Sequence, residues 1–112
     1  MDCLFCSIIE GKIPSKKLYE DDKILAFYDI QPQAPIHFLV IPKEHLDGAD
    51  CITQANAEIV SYIFSKIPAL AKEAGMTNGY RVVTNVLEDG GQSVRHLHFH
   101  VLGGGKLNVV FG

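Results

Sequence analysis

Apolar positions along this chain follow two periods, and the change from one to the other marks out its elements. From Ala55 to Ala74, the residues Ile59, Val60, Ile63, Phe64, Ile67, Leu70, Ala71 and Ala74 recur at three- and four-residue steps. That spacing predicts an amphipathic helix with one buried stripe. Gly75 is its natural stop and Thr53 its expected N-cap, while Pro68 removes a backbone donor and should kink or split the helix. Elsewhere the apolar runs are short. Residues 3–10 read as a short helix stopped around Gly11 and Pro14. Leu18-Tyr19-Glu20, a polar turn through Lys23, and Ile24 to Tyr28 describe a hairpin closed by Asp29 and Pro32. Phe38-Leu39-Val40-Ile41 is a continuous apolar run of strand length ended by Pro42. Tyr80 to Thr84 forms a further strand, and a loop from Asn85 through "EDGGQS" leads to a last strand of about His96 to Leu102.

Short strands bounded by turns, with a single long helical interruption, predict an α+β fold: a mostly antiparallel sheet with one long helix packed across it. No repeat, low-complexity tract or linker divides the chain, so residues 1–112 are expected to form one domain.

Composition narrows the setting. With 47% of its 112 residues apolar, the chain can bury a core without disulfide staples. The formal net charge is −3, and Lys12, Lys16, Lys17 and Lys23 alternate with acids instead of forming a basic face. Nonspecific binding to nucleic acid or to anionic membrane is therefore not expected. The N-terminal run "CLFCSII" is far below a spanning length, and Asp2 sits where a signal peptide needs positive charge, so the chain is read as soluble and cytoplasmic. Three cysteines make an odd count, which argues against a disulfide framework. Cys51 reads as an ordinary structural thiol. Cys3 and Cys6, near a helix start, put both sulfurs on one face, close enough to share a metal.

The chemistry concentrates in "SVRHLHFHVL", residues 93–102. In a strand, alternate side chains point to one side, so His96, His98 and His100 share a face while Leu97, Phe99 and Val101 share the other. The apolar set has a core role. For the imidazoles two chemistries remain: metal ligation, or attack of a ring nitrogen on phosphorus with a neighbouring imidazole meeting the phosphoryl oxygens. Asp89-Gly90-Gly91-Gln92-Ser93 lies directly upstream and favours the second, because glycines let backbone N–H groups approach an anion and Ser93 adds a hydroxyl.

"HLHFHVL", read as His-φ-His-φ-His-φ-φ with φ apolar, resembles the signature of the histidine-triad (HIT) nucleotide-binding superfamily. "GKIPSKKLYEDDKILAFYDIQPQAPIHFLVIPKEHL", "GYRVVTN" and "GGQSVRHLHFHVLGG" are similar to the Hint branch, the purine nucleoside phosphoramidate hydrolases, along nearly the whole chain. The resemblance implies five antiparallel strands per protomer, one long and one short helix, and a sheet continued across a homodimer. It implies hydrolysis of the P–N bond of purine nucleoside 5′-phosphoramidates through a nucleotidyl-histidine intermediate, with an AMP- or GMP-like nucleotide as partner and no metal in the chemistry.

By position, the resemblance makes His98 the nucleophile, with His100 and Ser93 contacting the phosphate or helping the leaving group. Gly91 and Gln92 would line the same seat, and His37 would be a fourth histidine near the nucleophile. Asp29 would bind the ribose hydroxyls and Asn85 the phosphate-ribose region. Leu4, Phe5, Phe27, Ile30 and Leu39 would wall the base pocket. Several bacterial relatives carry a Cys-x-x-Cys as half of a zinc site completed by two histidines. The corresponding ligands here are Cys3, Cys6, His45 and His96, a closed Cys2His2 set that would be structural. The tail "KLNVVFG" lacks the Trp found in some relatives. Competing interpretations are a non-catalytic nucleotide-binding or scaffold protein, and a dinucleoside polyphosphate hydrolase or nucleotidylyltransferase of another HIT branch.

Overall fold

A computed structural model of the chain describes residues 3–108, so the end of the tail, Val109 to Gly112, lies outside the described residues. The first element, α1 (Leu4–Ile9), begins at Cys3, whose sulfur accepts the Cys6 N–H at 3.3 Å and so caps the helix. Strands β1 (Lys17–Glu20) and β2 (Ile24–Tyr28) form the expected hairpin, and β3 (Ile36–Pro42) follows. After a 3-10 turn at Ala49–Cys51 come α2 (Glu58–Ala74), β4 (Tyr80–Val83), α3 (Leu87–Gly90) and β5 (Phe99–Gly103). The five strands form one antiparallel sheet in the order β1-β2-β3-β5-β4. The fold is thus α+β, as the pattern predicts.

Both faces of the sheet centre are covered, which explains the uninterrupted apolar run in β3. Phe38 and Val40 join Ile24, Ala26, Leu97, Phe99 and Val101 against Ile63, Ile67, Leu70 and Ala71 of α2. Leu39 and Ile41 join Leu25 and Phe27 on the opposite face, against Cys3, Phe5 and Ile8 around α1. One face therefore carries the main core, and the other carries a smaller core beside the histidines.

Four local expectations are revised. The helix starts at Glu58, and Thr53 is not its N-cap. Thr53 instead belongs to a preceding turn, where its N–H donates to Asn56 Oδ1 at 2.7 Å and its Oγ1 accepts from Ala55 N–H at 3.2 Å. Pro68 does not split the helix, because the buried residues on either side of it, Ile63 and Ile67 before and Leu70 and Ala71 after, hold both halves on the sheet. Gly75 does end it, in a left-handed conformation with φ 99°. The "EDGGQS" loop contains the short helix α3, which ends at Gly91 with φ 77°. The last strand starts at Phe99, not His96. Before it, Leu97 N–H donates to Leu46 O at 2.6 Å and Thr84 Oγ1 donates to His98 O at 2.8 Å, so this segment finds partners outside the ladder.

Candidate active site and metal centre

Alternation survives where the strand does not. His96, His98 and His100 all turn to the α1 side, and Leu97, Phe99 and Val101 all enter the main core. Phe5 stands edge-on to both His96 and His98, with centroids 5.9 and 5.1 Å away, and its other neighbour is Phe27 at 5.5 Å. Thus α1 seats the imidazoles by packing an aromatic edge against them.

The orientation of each ring follows from its hydrogen bonds. His98 Nδ1 lies 2.7 Å from its neighbour's carbonyl, His96 O. A carbonyl only accepts, so Nδ1 carries the proton and Nε2 keeps the lone pair. His37 Nδ1 accepts the Gln33 backbone N–H at 3.0 Å, and His37 Nε2 lies 2.9 Å from His100 Nδ1. Asp29 Oδ2 is 3.5 Å from the same His37 Nε2, while its Oδ1 accepts Gln31 N–H at 2.8 Å. Burial is the main reason that His37 and His98 both hold a proton less readily than an ordinary imidazole, with Asp29 opposing it in each case. His100 is pushed down to about 4 by burial first and then by His98 and His37. The three imidazoles are therefore neutral near pH 7, which suits a nucleophile.

The remaining expected site residues are more dispersed. Phe5, Phe27 and Leu39 are buried beside the histidines, whereas Ile30 is 93% exposed and Leu4 is 46% exposed. Leu4 lines a groove with Ser93, Val94 and Arg95. Asn85 is half-buried and adjoins Gly90. The amides of the glycine loop are committed: Gly91 N–H donates to Glu88 O and Gln92 N–H to Leu87 O, both at 3.0 Å. The Gln92 side chain donates to Asp47 O at 2.8 Å and Val94 O at 3.0 Å, and accepts from Leu87 N–H and Arg95 Nη1, both at 2.9 Å. Arg95 in turn pairs with both Asp50 oxygens at 2.8 Å. Gly91 and Gln92 thus build the loop, and Ser93 is its exposed hydroxyl.

A second constellation lies beside the first. The ligand atoms of Cys3, Cys6, His45 and His96 lie within 4.8 Å of one another. Cys3 Sγ is 3.3 Å from His96 Nδ1, and Cys6 Sγ is 3.3 Å from His45 Nδ1 and 3.6 Å from His96 Nδ1. Tetrahedral zinc with ordinary Zn–S and Zn–N lengths sets sulfur–nitrogen edges of about 3.5 Å, so the four atoms fit such an ion. The outer partners agree: His45 Nε2 donates to Asp47 Oδ1 at 2.8 Å and His96 Nε2 to Pro42 O at 2.9 Å. Both bonds put the ring proton on Nε2 and aim the Nδ1 lone pairs inward. Burial first and Cys3 second push the Cys6 thiol up to about 11. Asp47, Thr84, Gln33 and the Pro42 carbonyl are supporting groups that sequence spacing did not single out.

Comparison with known proteins identifies the family. The HIT domain family model matches residues 10–107. The chain is 47% identical over 106 residues to an uncharacterized HIT-like protein of Rickettsia prowazekii, covering 93% of this chain and 88% of that one. It is 46% identical over 107 residues to a 14 kDa zinc-binding protein of Zea mays, covering 94% and 84%. Among solved structures, a histidine triad protein from Clostridium difficile superposes with a TM-score of 0.94 at 50% identity, covering 99% of this chain and 97% of that one. A HIT family hydrolase from Clostridium thermocellum gives 0.93 at 41% identity, covering 97% and 96%. Among the described residues no helix is long and apolar enough to cross a membrane.

Proposed function

The chain belongs to the HIT domain family, and from that premise we propose that it is a nucleotide-binding hydrolase that cleaves the P–N bond of purine nucleoside 5′-phosphoramidates. The observation that carries the proposal is the 2.7 Å bond from His98 Nδ1 to His96 O, which leaves Nε2 as the nucleophilic nitrogen. Nε2 attacks the α-phosphorus, the P–N bond breaks, and water then hydrolyses the nucleotidyl-histidine. The positive charge that develops on the imidazole is met by the His96 carbonyl and by the Asp29 carboxylate, both of which favour a charged His98. His100 and Ser93 flank the phosphate, and His37 supports His100. Asp29 takes the ribose hydroxyls, Asn85 the phosphate-ribose region, and Phe5, Phe27, Leu39, Leu4 and Ile30 border the base. Gly91 and Gln92 shape the seat.

The same proposal includes structural zinc at Cys3, Cys6, His45 and His96, a homodimer with a continuous sheet, and a cytoplasmic setting. The zinc-binding maize relative and the inward lone pairs support the metal. When bound, the ion would compensate the two sulfurs and fasten α1 to the segment before β5. The test of function is turnover of adenosine and guanosine 5′-phosphoramidates beside diadenosine polyphosphates. Release of AMP or GMP from the phosphoramidates is expected. Preferential cleavage of the polyphosphates would transfer the chain to another HIT branch, and no nucleotide release from any of them would leave a binding module.

A further inference from the structure

The hydrogen bond from Gln33 to His37 has a chemical consequence for His100. We infer that the Gln33 backbone amide is a positioning group: it sets the direction of a Gln33–His37–His100 chain and keeps His100 a neutral N–H donor at the phosphate. The inference rests on the proposed hydrolysis only for the word phosphate; the polarity of the chain stands on geometry.

Gln33 N–H is a fixed donor 3.0 Å from His37 Nδ1, and an amide does not give up its proton. His37 Nδ1 therefore accepts, and a proton there would face another donor. The single ring proton of His37 sits on Nε2, 2.9 Å from His100 Nδ1, whereas the Asp29 oxygen is further, at 3.5 Å. His100 Nδ1 must then accept as well, which leaves the His100 proton on Nε2. For His100 to become an imidazolium it would need a second proton on Nδ1, pointed at the N–H of His37. His37 could yield only by moving its own proton to Nδ1, where Gln33 blocks it. The burial of His37 and the partial burial of His100 act in the same direction. The groups facing His100 are His98 from the segment just before its strand, His37 from β3 and Asp29 from the loop after β2; only Asp29 favours the charged form.

In the proposed reaction, the His98 Nε2–P bond forms as the P–N bond breaks, and the leaving nitrogen keeps the electron pair of the broken bond. The single N–H of a neutral His100 stays on the phosphoryl oxygen, so the substrate nitrogen takes its proton from solvent hydronium before the bond breaks and departs as the neutral amine. His100 stabilises charge on a phosphoryl oxygen by hydrogen bonding without transferring its proton.

The test is nitrogen NMR of 15N-labelled, metal-loaded full-length protein, with wild type compared with Gln33→Pro and with His37→Leu. Gln33→Pro deletes the one N–H, and His37→Leu deletes the donor to His100 should the extra proline beside Pro32 disturb the loop. Expected in the wild type at pH 7 are Nε2–H forms of both His37 and His100. In Gln33→Pro the His37 titration should move up by about one pH unit or more, and in His37→Leu that of His100 should do the same. A proton on Nδ1 of wild-type His100, or titrations that move in neither variant, would overturn the inference. Turnover of adenosine 5′-phosphoramidate is measured in parallel: its absence from the wild type defeats the functional proposal, while the tautomers still decide the polarity of the chain.

Discussion

Replacing His100 by Gln removes an imidazole that the fold holds neutral, and the loss is measurable as a change in acid stability. The native ring protonates only at about 4, against an ordinary value of 6.5. Between those limits the unfolded chain takes up a proton that the native chain refuses, so stability falls as pH falls through this window and is level above it. Over the whole window the loss is about 3 kcal/mol, at 1.36 kcal/mol per pH unit. At pH 5 the linkage relation gives about 2 kcal/mol relative to pH 7.5. His100→Gln should escape that loss. The assay is urea unfolding of both proteins at pH 7.5 and pH 5, taking the difference of differences so that acid effects at the cysteine–histidine cluster, common to both, cancel. The wild type is expected to lose about 2 kcal/mol more than the variant. Equal losses within about 0.5 kcal/mol would mean that His100 is not held neutral by the fold, and the reasoning would fail.

Three further outcomes follow from the geometry. His98→Ala should abolish phosphoramidate turnover while AMP binding by calorimetry persists; near-normal kcat would remove His98 as the nucleophile. Asp47→Ala strips His45 of its outer partner and should weaken zinc binding about 10–100-fold in chelator competition, with unchanged affinity refuting the orienting role. Thr84→Val deletes the hydroxyl that ties the His98 carbonyl to the residue following β4, so it should cost about 1 kcal/mol in urea unfolding and lower kcat with KM little changed. An unaltered kcat would show that the segment before β5 keeps its shape without that tie.

Periodicity carried much of the architecture. Steps of three and four outlined α2, short apolar runs outlined the strands, and alternation put the histidines on one face and Leu97, Phe99 and Val101 on the other. These features are local, since they depend on the geometry of a single element, and the chain itself states them. The Cys3–Cys6 spacing is local in the same sense, as one turn of helix brings the sulfurs together. Misplaced boundaries trace to distant packing: sheet contacts carry α2 through Pro68, and partners on Leu46 and Thr84 take the His96–His98 backbone out of the ladder.

The division of labour among the histidines lay beyond any local pattern. Each ring has two nitrogens, and which one is a donor depends on the group that folding sets opposite the other. The deciding groups are the Pro42 carbonyl for His96, the His96 carbonyl for His98, the Gln33 amide for His37 and then His37 for His100. Residue types and their alternation were legible in the sequence by itself; which nitrogen of each ring donates and which accepts was decided only when β3, α1 and the loop at Gln33 met β5, because a tautomer is a property of contacts.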